Sequence, residues 1–383
     1  MDQPRPVRRY LDNAATSWPK PPEVLTAWNR AASEVGATAG RGLYREAIEA
    51  DSIRDQARRA AAGLLGVTSE RVALPAGCTL ALNAAIRGLA RPGDHVIATA
   101  ADHNATLRPL HQLATAGIID WTIVPCDGRG WVDPDDVARA WRPATRLVVC
   151  SHVSNVTGTL QDAAAIAAIA HERSGLFLLD AAQSLAVVPA ASPGWGSDVL
   201  AAPAHKWLLG VGSAAVLWSR PGLDFPPLVA GGTGSASESL AMPEAFAAAH
   251  EAGSPDVPAL AALVAATAWH EQRGVAVTAA ACRQLADDSA AGLGGIPGVR
   301  VVGGERAAAI VSFTVEGYDP ADVAAILETA AGVQVRAGFH CAACIHEQLG
   351  TTAGGTVRAA FGPCNTPADV EAIVETVAKI TGG

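Results

Sequence analysis

Short apolar runs, each closed by a polar residue or a turn, recur through the first half of the chain. Positions 71–75, 94–99, 121–125, 145–150 and 176–179 are runs of this kind. None alternates apolar with polar residues, as a strand covered on both faces need not. Between them, 80–87, 106–116 and 161–173 read as helices. Strands that alternate with helices pair in parallel through right-handed crossovers. The pattern predicts an α/β fold built on a mostly parallel sheet.

The character changes after about residue 255. Residues 258–273 and 275–293 read as long helices, and 298–302, 309–314 and 332–336 as strands. Residues 319–331 and 366–380 read as helices, each opened by a capping residue and a proline in the first helical position. This predicts a large domain over 16–255 and a smaller α+β domain over 256–383, joined by the N-terminal segment 1–15. No repeat or low-complexity linker interrupts the chain. The Gly/Ser-rich stretch 231–238 reads as a loop.

Half of the 383 residues are hydrophobic and only 17% are charged, which fits a compact enzyme and argues against disorder. The net charge is −9 and no basic cluster stands out, so nothing points to nucleic acid or an anionic membrane. Polar residues break every apolar segment before the ~18 positions of a membrane span. The basic residues at the N-terminus precede no apolar stretch, unlike a signal peptide. Seven dispersed cysteines suggest reduced thiols in a cytoplasmic protein.

The most informative stretch is Asp198-Val-Leu-Ala-Ala-Pro-Ala-His205-Lys206, with a Gly-rich apolar hairpin behind it. Lysine is almost never buried without a partner. Burial lowers its ammonium pKa and frees the lone pair for Schiff-base chemistry. Upstream, Asp180 ends an apolar run, with Gln183 three residues on. An aspartate beneath a pyridinium nitrogen is the electronic partner of such a lysine, although a plain helix cap would look the same. Gly77-Cys78-Thr79 turns from a strand into a helix and could offer N–H groups to a phosphate, or be an ordinary turn. His103 and the cluster Ser151-His152-Val-Ser154-Asn155 follow strands, where side chains face the ligand crevice of a parallel sheet.

His340-Cys341-Ala-Ala-Cys344-Ile-His346 carries a Cys-x-x-Cys pair. It could be half a zinc site or a redox pair, but no second Cys/His cluster has ligand spacing. A single nucleophilic thiol, with Cys344 a bystander, is the more economical reading. Arg358 stands on a strand-like run, where an arginine can clamp a carboxylate or form a surface salt bridge.

Taken together, these motifs resemble the class V aminotransferase family of fold-type I, pyridoxal 5'-phosphate (PLP)-dependent enzymes. The resemblance lies with its cysteine desulfurase/selenocysteine lyase group. It runs from Tyr10-Leu-Asp-Asn-Ala-Ala15 nearly to the C-terminus. It is carried by His152-Val-Ser-Asn155-Val-Thr-Gly-Thr159, Asp180-Ala-Ala-Gln183, His205-Lys206, Glu251-Ala-Gly-Ser254 and Arg336-Ala-Gly-Phe-His-Cys341-Ala342. The last is similar to the SufS-like branch. The resemblance implies a seven-stranded, mostly parallel sheet, and Lys206 as the Schiff-base lysine and proton shuttle. It implies that Asp180 pairs with the pyridine nitrogen, Gln183 with the phenolic oxygen, and that His103 stacks on the ring. Gly77, Cys78, Thr79 and His205 would hold the phosphate, with Ser254 reaching in from a second subunit of a homodimer. Asn155 and Arg358 would bind the substrate amino acid, and Arg336 and Arg41 would line the same pocket. Cys341 would take the sulfur of L-cysteine as a persulfide, release L-alanine and pass the sulfur to an acceptor protein, as iron–sulfur cluster assembly requires. No metal is implied. Pro203, Cys78 and Asn104 depart from the SufS-like pattern, where a hydroxyl residue, a threonine and a second histidine are usual. The alternatives are a selenocysteine lyase, a C–S lyase or an epimerase of the same family, and a non-enzymatic sulfur carrier or scaffold.

Overall fold

The computed structural model describes residues 7–190, 193–235 and 237–382. Most of the N-terminal stretch read for a leader, residue 236 of the 231–238 loop and the last residue of the small domain lie outside these. Among the described residues, thirteen strands run in chain order: β1 (Arg9–Tyr10), β2 (Val72–Ala73), β3 (His95–Thr99), β4 (Asp120–Val124), β5 (Thr145–Ser151), β6 (Leu176–Asp180) and β7 (Val199–Pro203). They continue with β8 (Ala215–Ser219), β9 (Val299–Val302), β10 (Ile310–Val315), β11 (Val333–Gln334), β12 (Arg336–Gly338) and β13 (Thr356–Ala360).

Seven strands form the large sheet in the order β2-β8-β7-β6-β5-β3-β4. The neighbours from β4 to β7 pair in parallel. Strands β3, β6, β7 and β8 are buried along their whole length, as continuous apolar runs between two helical layers must be. The parallel rule fails at one edge. β8 runs antiparallel to both β7 and β2. The β7–β8 connection is only residues 204–214, too short for the helical crossover of a parallel return, so the chain doubles back.

The smaller part carries an antiparallel sheet in the order β12-β13-β10-β9. The single strand expected at 332–336 is divided. Val333–Gln334 pairs in parallel with Arg9–Tyr10, while Arg336–Gly338 joins β13. The N-terminal strand captures the first two residues, and the chain then turns into the other sheet. The helices expected at 319–331 and 366–380 form as Pro320–Ala331 and Pro367–Ile380. The Asp319 side chain accepts from Ala321 N at 2.8 Å. The helices that escaped the sequence pattern include two of nine residues or more, Pro22–Arg30 and Arg45–Leu65. The second buries Ala47, Ala50, Ile53, Ala57, Ala61 and Leu65, a helical stripe made mostly of alanine, whose weak hydropathy hides the period.

Among the described residues, no helix is long and apolar enough to cross a membrane. Gly355 lies where the chain approaches β12 most closely: its φ is +84°, and a methyl group there would sit 2.3 Å from the Gly338 carbonyl oxygen. Gly355→Ala combines a left-handed backbone with a backbone clash. It is expected to lower stability by at least about 2 kcal/mol, read as a shift of the urea midpoint.

Candidate active site

A cavity of about 720 Å³ opens at the carboxyl ends of β5, β6 and β7. This is where a parallel sheet presents its loops to a ligand. Its wall includes Gly77, Cys78, Thr79, His103, Asn155, Asp180, Gln183, His205, Lys206, Arg336 and Arg358. Eleven of the residues singled out from the sequence therefore share one space.

Lys206 follows β7 on the short connection to β8. Burial lowers the pKa of its amine; Asp180 and Cys78 oppose this, while Arg358 and Arg336 add to it. Asp180 ends β6, and its Oδ1 accepts from Ala182 N at 2.9 Å. Burial raises its pKa, against the pull of Ala182 N and Lys206. Gln183 is held at both ends of its amide, donating to Ala14 O at 3.0 Å and accepting from Trp207 Nε1 at 2.6 Å.

His103 caps the helix Asn104–Thr115 with its ring. Nδ1 accepts from Ala105 N at 2.9 Å, which leaves the ring proton on Nε2. Burial first, then the charges of Lys206, Arg336, Arg358 and Arg108, push it down to about 4. The ring is neutral at physiological pH. His205 is likewise lowered to about 4, by burial and then by Lys206 and Lys20.

The helix Cys78–Leu89 starts at Gly77, whose φ of +143° has no side-chain cap. Its first-turn N–H groups are thus available to an anion. Burial pushes the Cys78 thiol well above its ordinary value, so it stands there as a neutral thiol.

Arg336 on β12 and Arg358 on β13 are paired directly opposite each other in the small sheet. Opposed residues project to the same face, so the register aims two guanidinium groups together. Arg336 Nη2 donates to Cys341 Sγ at 3.1 Å. Arg358 is 1% exposed. It donates to Asn155 O at 2.9 Å and Asp12 Oδ1 at 2.8 Å, while its buried Nε has no partner among the described residues.

Cys341 itself is outside the cavity lining and reaches it through Arg336. It and His340 are both left-handed, with φ of +59° and +51°. Two clips hold this strained pair: Asn155 Nδ2 donates to His340 O and Asn104 N to Cys341 O, each at 2.7 Å. Asn104, a departure from the SufS-like pattern, thus acts here through its backbone, and Pro203 lines the cavity without a donor. Cys344 is half-buried at the start of the four-residue helix Ile345–Gln348, and burial raises its thiol pKa. Arg41 and Ser254 are exposed and outside the cavity lining.

Sequence reasoning missed Asp12 and Asp102. Asp12 pairs with Arg358 across 346 positions, and no local signal announces it. Asp102 left a signal, a carboxylate straight after an apolar strand. It is fully buried, and its two oxygens accept from Thr99 N at 2.7 Å and Ser151 N at 2.5 Å. It ties β3 to β5, and burial pushes it up to about 7.

Comparison with known proteins agrees with this geometry. The chain matches the description "Aminotransferase class-V" over residues 9–373. It belongs to the class-V aminotransferase family. A relative described as a probable cysteine desulfurase, from Methanothermobacter thermautotrophicus, is 33% identical and covers 97% of this chain and 94% of its own. Another so described, from Pseudomonas aeruginosa, is 34% identical over 94% of this chain and 91% of its own. The structure of a cysteine desulfurase from Thermococcus onnurineus superposes with a TM-score of 0.90 at 27% identity, covering all of both chains. One from Escherichia coli gives 0.86 at 27% identity, covering 97% and 94%. The fold is that of the fold-type I enzymes, as the sequence motifs implied.

This class-V aminotransferase keeps an unusual number of imidazoles neutral. Burial lowers His103, His152, His205, His250 and His270 to about 4, from an ordinary 6.5. Between these values the unfolded chain binds more protons than the folded one, so stability falls as pH falls through the window. Asp102 and Asp180, with raised values, act in the opposite direction. The histidines outnumber them, and a net uptake of protons on unfolding is expected as pH falls from 6.5 to about 4. Urea midpoints measured across that range check this; a flat profile contradicts it.

Proposed function

We propose that this class-V aminotransferase is a PLP-dependent cysteine desulfurase. It converts L-cysteine to L-alanine and leaves the sulfur on Cys341 as a persulfide. The observation that carries the reading is the Arg336–Cys341 contact of 3.1 Å at the edge of a cavity that also holds Lys206 and Arg358.

The residues fit the cofactor. Its phosphate would rest on the uncapped helix start at Gly77–Thr79 and on His205. The amine of Lys206, lowered by burial, would anchor its aldehyde carbon. A protonated ring nitrogen beside Asp180 would offset the desolvation of that carboxylate. Gln183 would reach the phenolic oxygen, and the neutral ring of His103 would lie against the cofactor's face. When bound, PLP withdraws electrons from the substrate Cα and makes the Cβ–S bond labile.

The protein's own residues do the rest. Arg358, with an unpaired Nε, binds the substrate carboxylate, and Asn155 holds both Arg358 and the Cys341 loop. Lys206 Nζ takes the Cα proton. Arg336 donates to Cys341 Sγ and orients it, and the thiolate is the form that attacks. The thiolate attacks the substrate sulfur, the Cβ–S electron pair leaves with carbon, and Cβ gains a proton to give alanine. The sum is L-cysteine plus a thiol giving L-alanine plus a persulfide.

We place the enzyme in the cytoplasm as a homodimer that hands its sulfur to an acceptor protein. Gly40 and Gly234 lie against each other, and Leu43, Tyr44, Val229 and Leu240, near them in the chain, are exposed. An apolar patch of this kind supports a subunit interface. In that dimer the partner's Ser254 completes the phosphate site, which accounts for Ser254 lying outside its own cavity.

Lys206→Ala is expected to abolish the visible absorption band of the bound cofactor. Cys341→Ala should keep the band and lose alanine formation from cysteine by about three orders of magnitude or more. Unchanged alanine output from Cys341→Ala would overturn its role as the nucleophile, and pyruvate would instead mark a C–S lyase. Arg336→Met should keep the band and lower kcat by about a hundredfold, by analogy with removal of one preorganised donor.

A further inference from the structure

Lys20 is a half-buried cation that the proposed reaction leaves without a task. Arginine supplies nearly all the basic positions of this chain. Only Lys20, Lys206 and Lys379 are lysines among its 28 basic residues. Two of those three meet at one peptide unit.

Lys20 Nζ donates to the carbonyl oxygen of His205 at 2.9 Å and to Ser17 Oγ at 2.7 Å. The same carbonyl accepts from Ser17 N at 3.0 Å, Thr16 Oγ1 at 3.1 Å and Ser17 Oγ at 3.2 Å. A carbonyl oxygen has two lone pairs, and here four donors converge on it. Lys20 makes no ion pair among the described residues, and burial alone lowers its pKa to about 8. A desolvated ammonium aimed at a neutral acceptor is costly. Anchoring the N-terminal segment does not need it, because Ser17 N already makes that bond.

What sets this acceptor apart is its place. It belongs to the peptide bond whose N–H is that of Lys206. Holding that plane restricts the backbone of Lys206 and the direction of its side chain. The same segment reaches two other cavity residues, Arg358 through Asp12 and Gln183 through Ala14 O.

We propose that Lys20 is a positioning residue for Lys206. With Thr16 and Ser17 it locks the His205–Lys206 peptide so that the Lys206 amine is presented to the cofactor's aldehyde carbon. This rests on the reading of Lys206 as the covalent anchor. A cationic donor suits the position because it can be shared between Ser17 Oγ and the carbonyl.

The test uses cofactor-free full-length enzyme and follows the growth of the visible band after PLP is added. Lys20→Met should slow this capture about tenfold, as a small misplacement of a reacting group does. It should also speed hydrogen exchange of the Lys206 amide. Lys20→Arg, which keeps a cationic donor, should recover most of the rate. Capture by Lys20→Met at the wild-type rate, or a slowing that Lys20→Arg does not relieve, overturns the proposal. If Lys20→Met does not fold, Thr16→Val decides: it removes one donor from the same carbonyl without touching Lys20. Slowed capture then supports the lock, and an unchanged rate overturns it. A band that survives in Lys206→Ala would instead overturn the underlying reading of the anchor.

Discussion

A guanidinium buried to 1% exposure ties the two sheets and the N-terminal segment together. Arg358 stands on the small sheet, donates to a carbonyl in the loop after β5 of the large sheet, and pairs with Asp12 near the chain start. An unpaired buried charge would be very costly, so the fold must bring Asp12 to it. Once Asp12 is there, the following residues have to cross the cavity mouth. Ala14 meets Gln183, and Ser17 and Lys20 meet the carbonyl before Lys206. One electrostatic requirement thus organises much of the site.

The same burial sets the protonation of the groups around the cavity. Desolvation is the largest cause for Lys206, His103, His205, Asp180 and Cys78 alike. It lowers the bases and raises the acids, in each case favouring the neutral form. The two arginines push Lys206 and His103 further in that direction. A lysine amine with a lowered pKa, neutral imidazoles and two arginines set side by side suit the binding of an anionic ligand.

The Cys341 loop shows the opposite balance. Two successive non-glycine residues in the left-handed region cost free energy that a solvent-exposed loop would not hold. Here two hydrogen bonds on flanking carbonyls and the Arg336 contact hold it. Cys341 thus sits on a loop that the rest of the site constrains, with Asn155 holding it at His340 and accepting from Arg358.

Much of the site was legible because the apolar runs mark parallel strands, and the polar residue after each run must face the crevice. Lys206, Asp180, His103 and Asn155 follow from that rule, which is local: a strand end is visible within a few residues. Cys341 was legible as a thiol between histidines, although the Cys-x-x-Cys pair left its role open. The alanine-rich helix Arg45–Leu65 was not legible, since its buried stripe is too weakly apolar to stand out. By itself the sequence determined the alternation of elements, the crevice-facing residues and the chemistry those residue types can perform. Only the tertiary structure decided that β8 turns back antiparallel, that Arg336 faces Arg358, and that Asp12 and Lys20 serve residues 346 and 185 positions away. Register and long-range ion pairing depend on how whole elements pack against each other, and no short window of sequence contains that information.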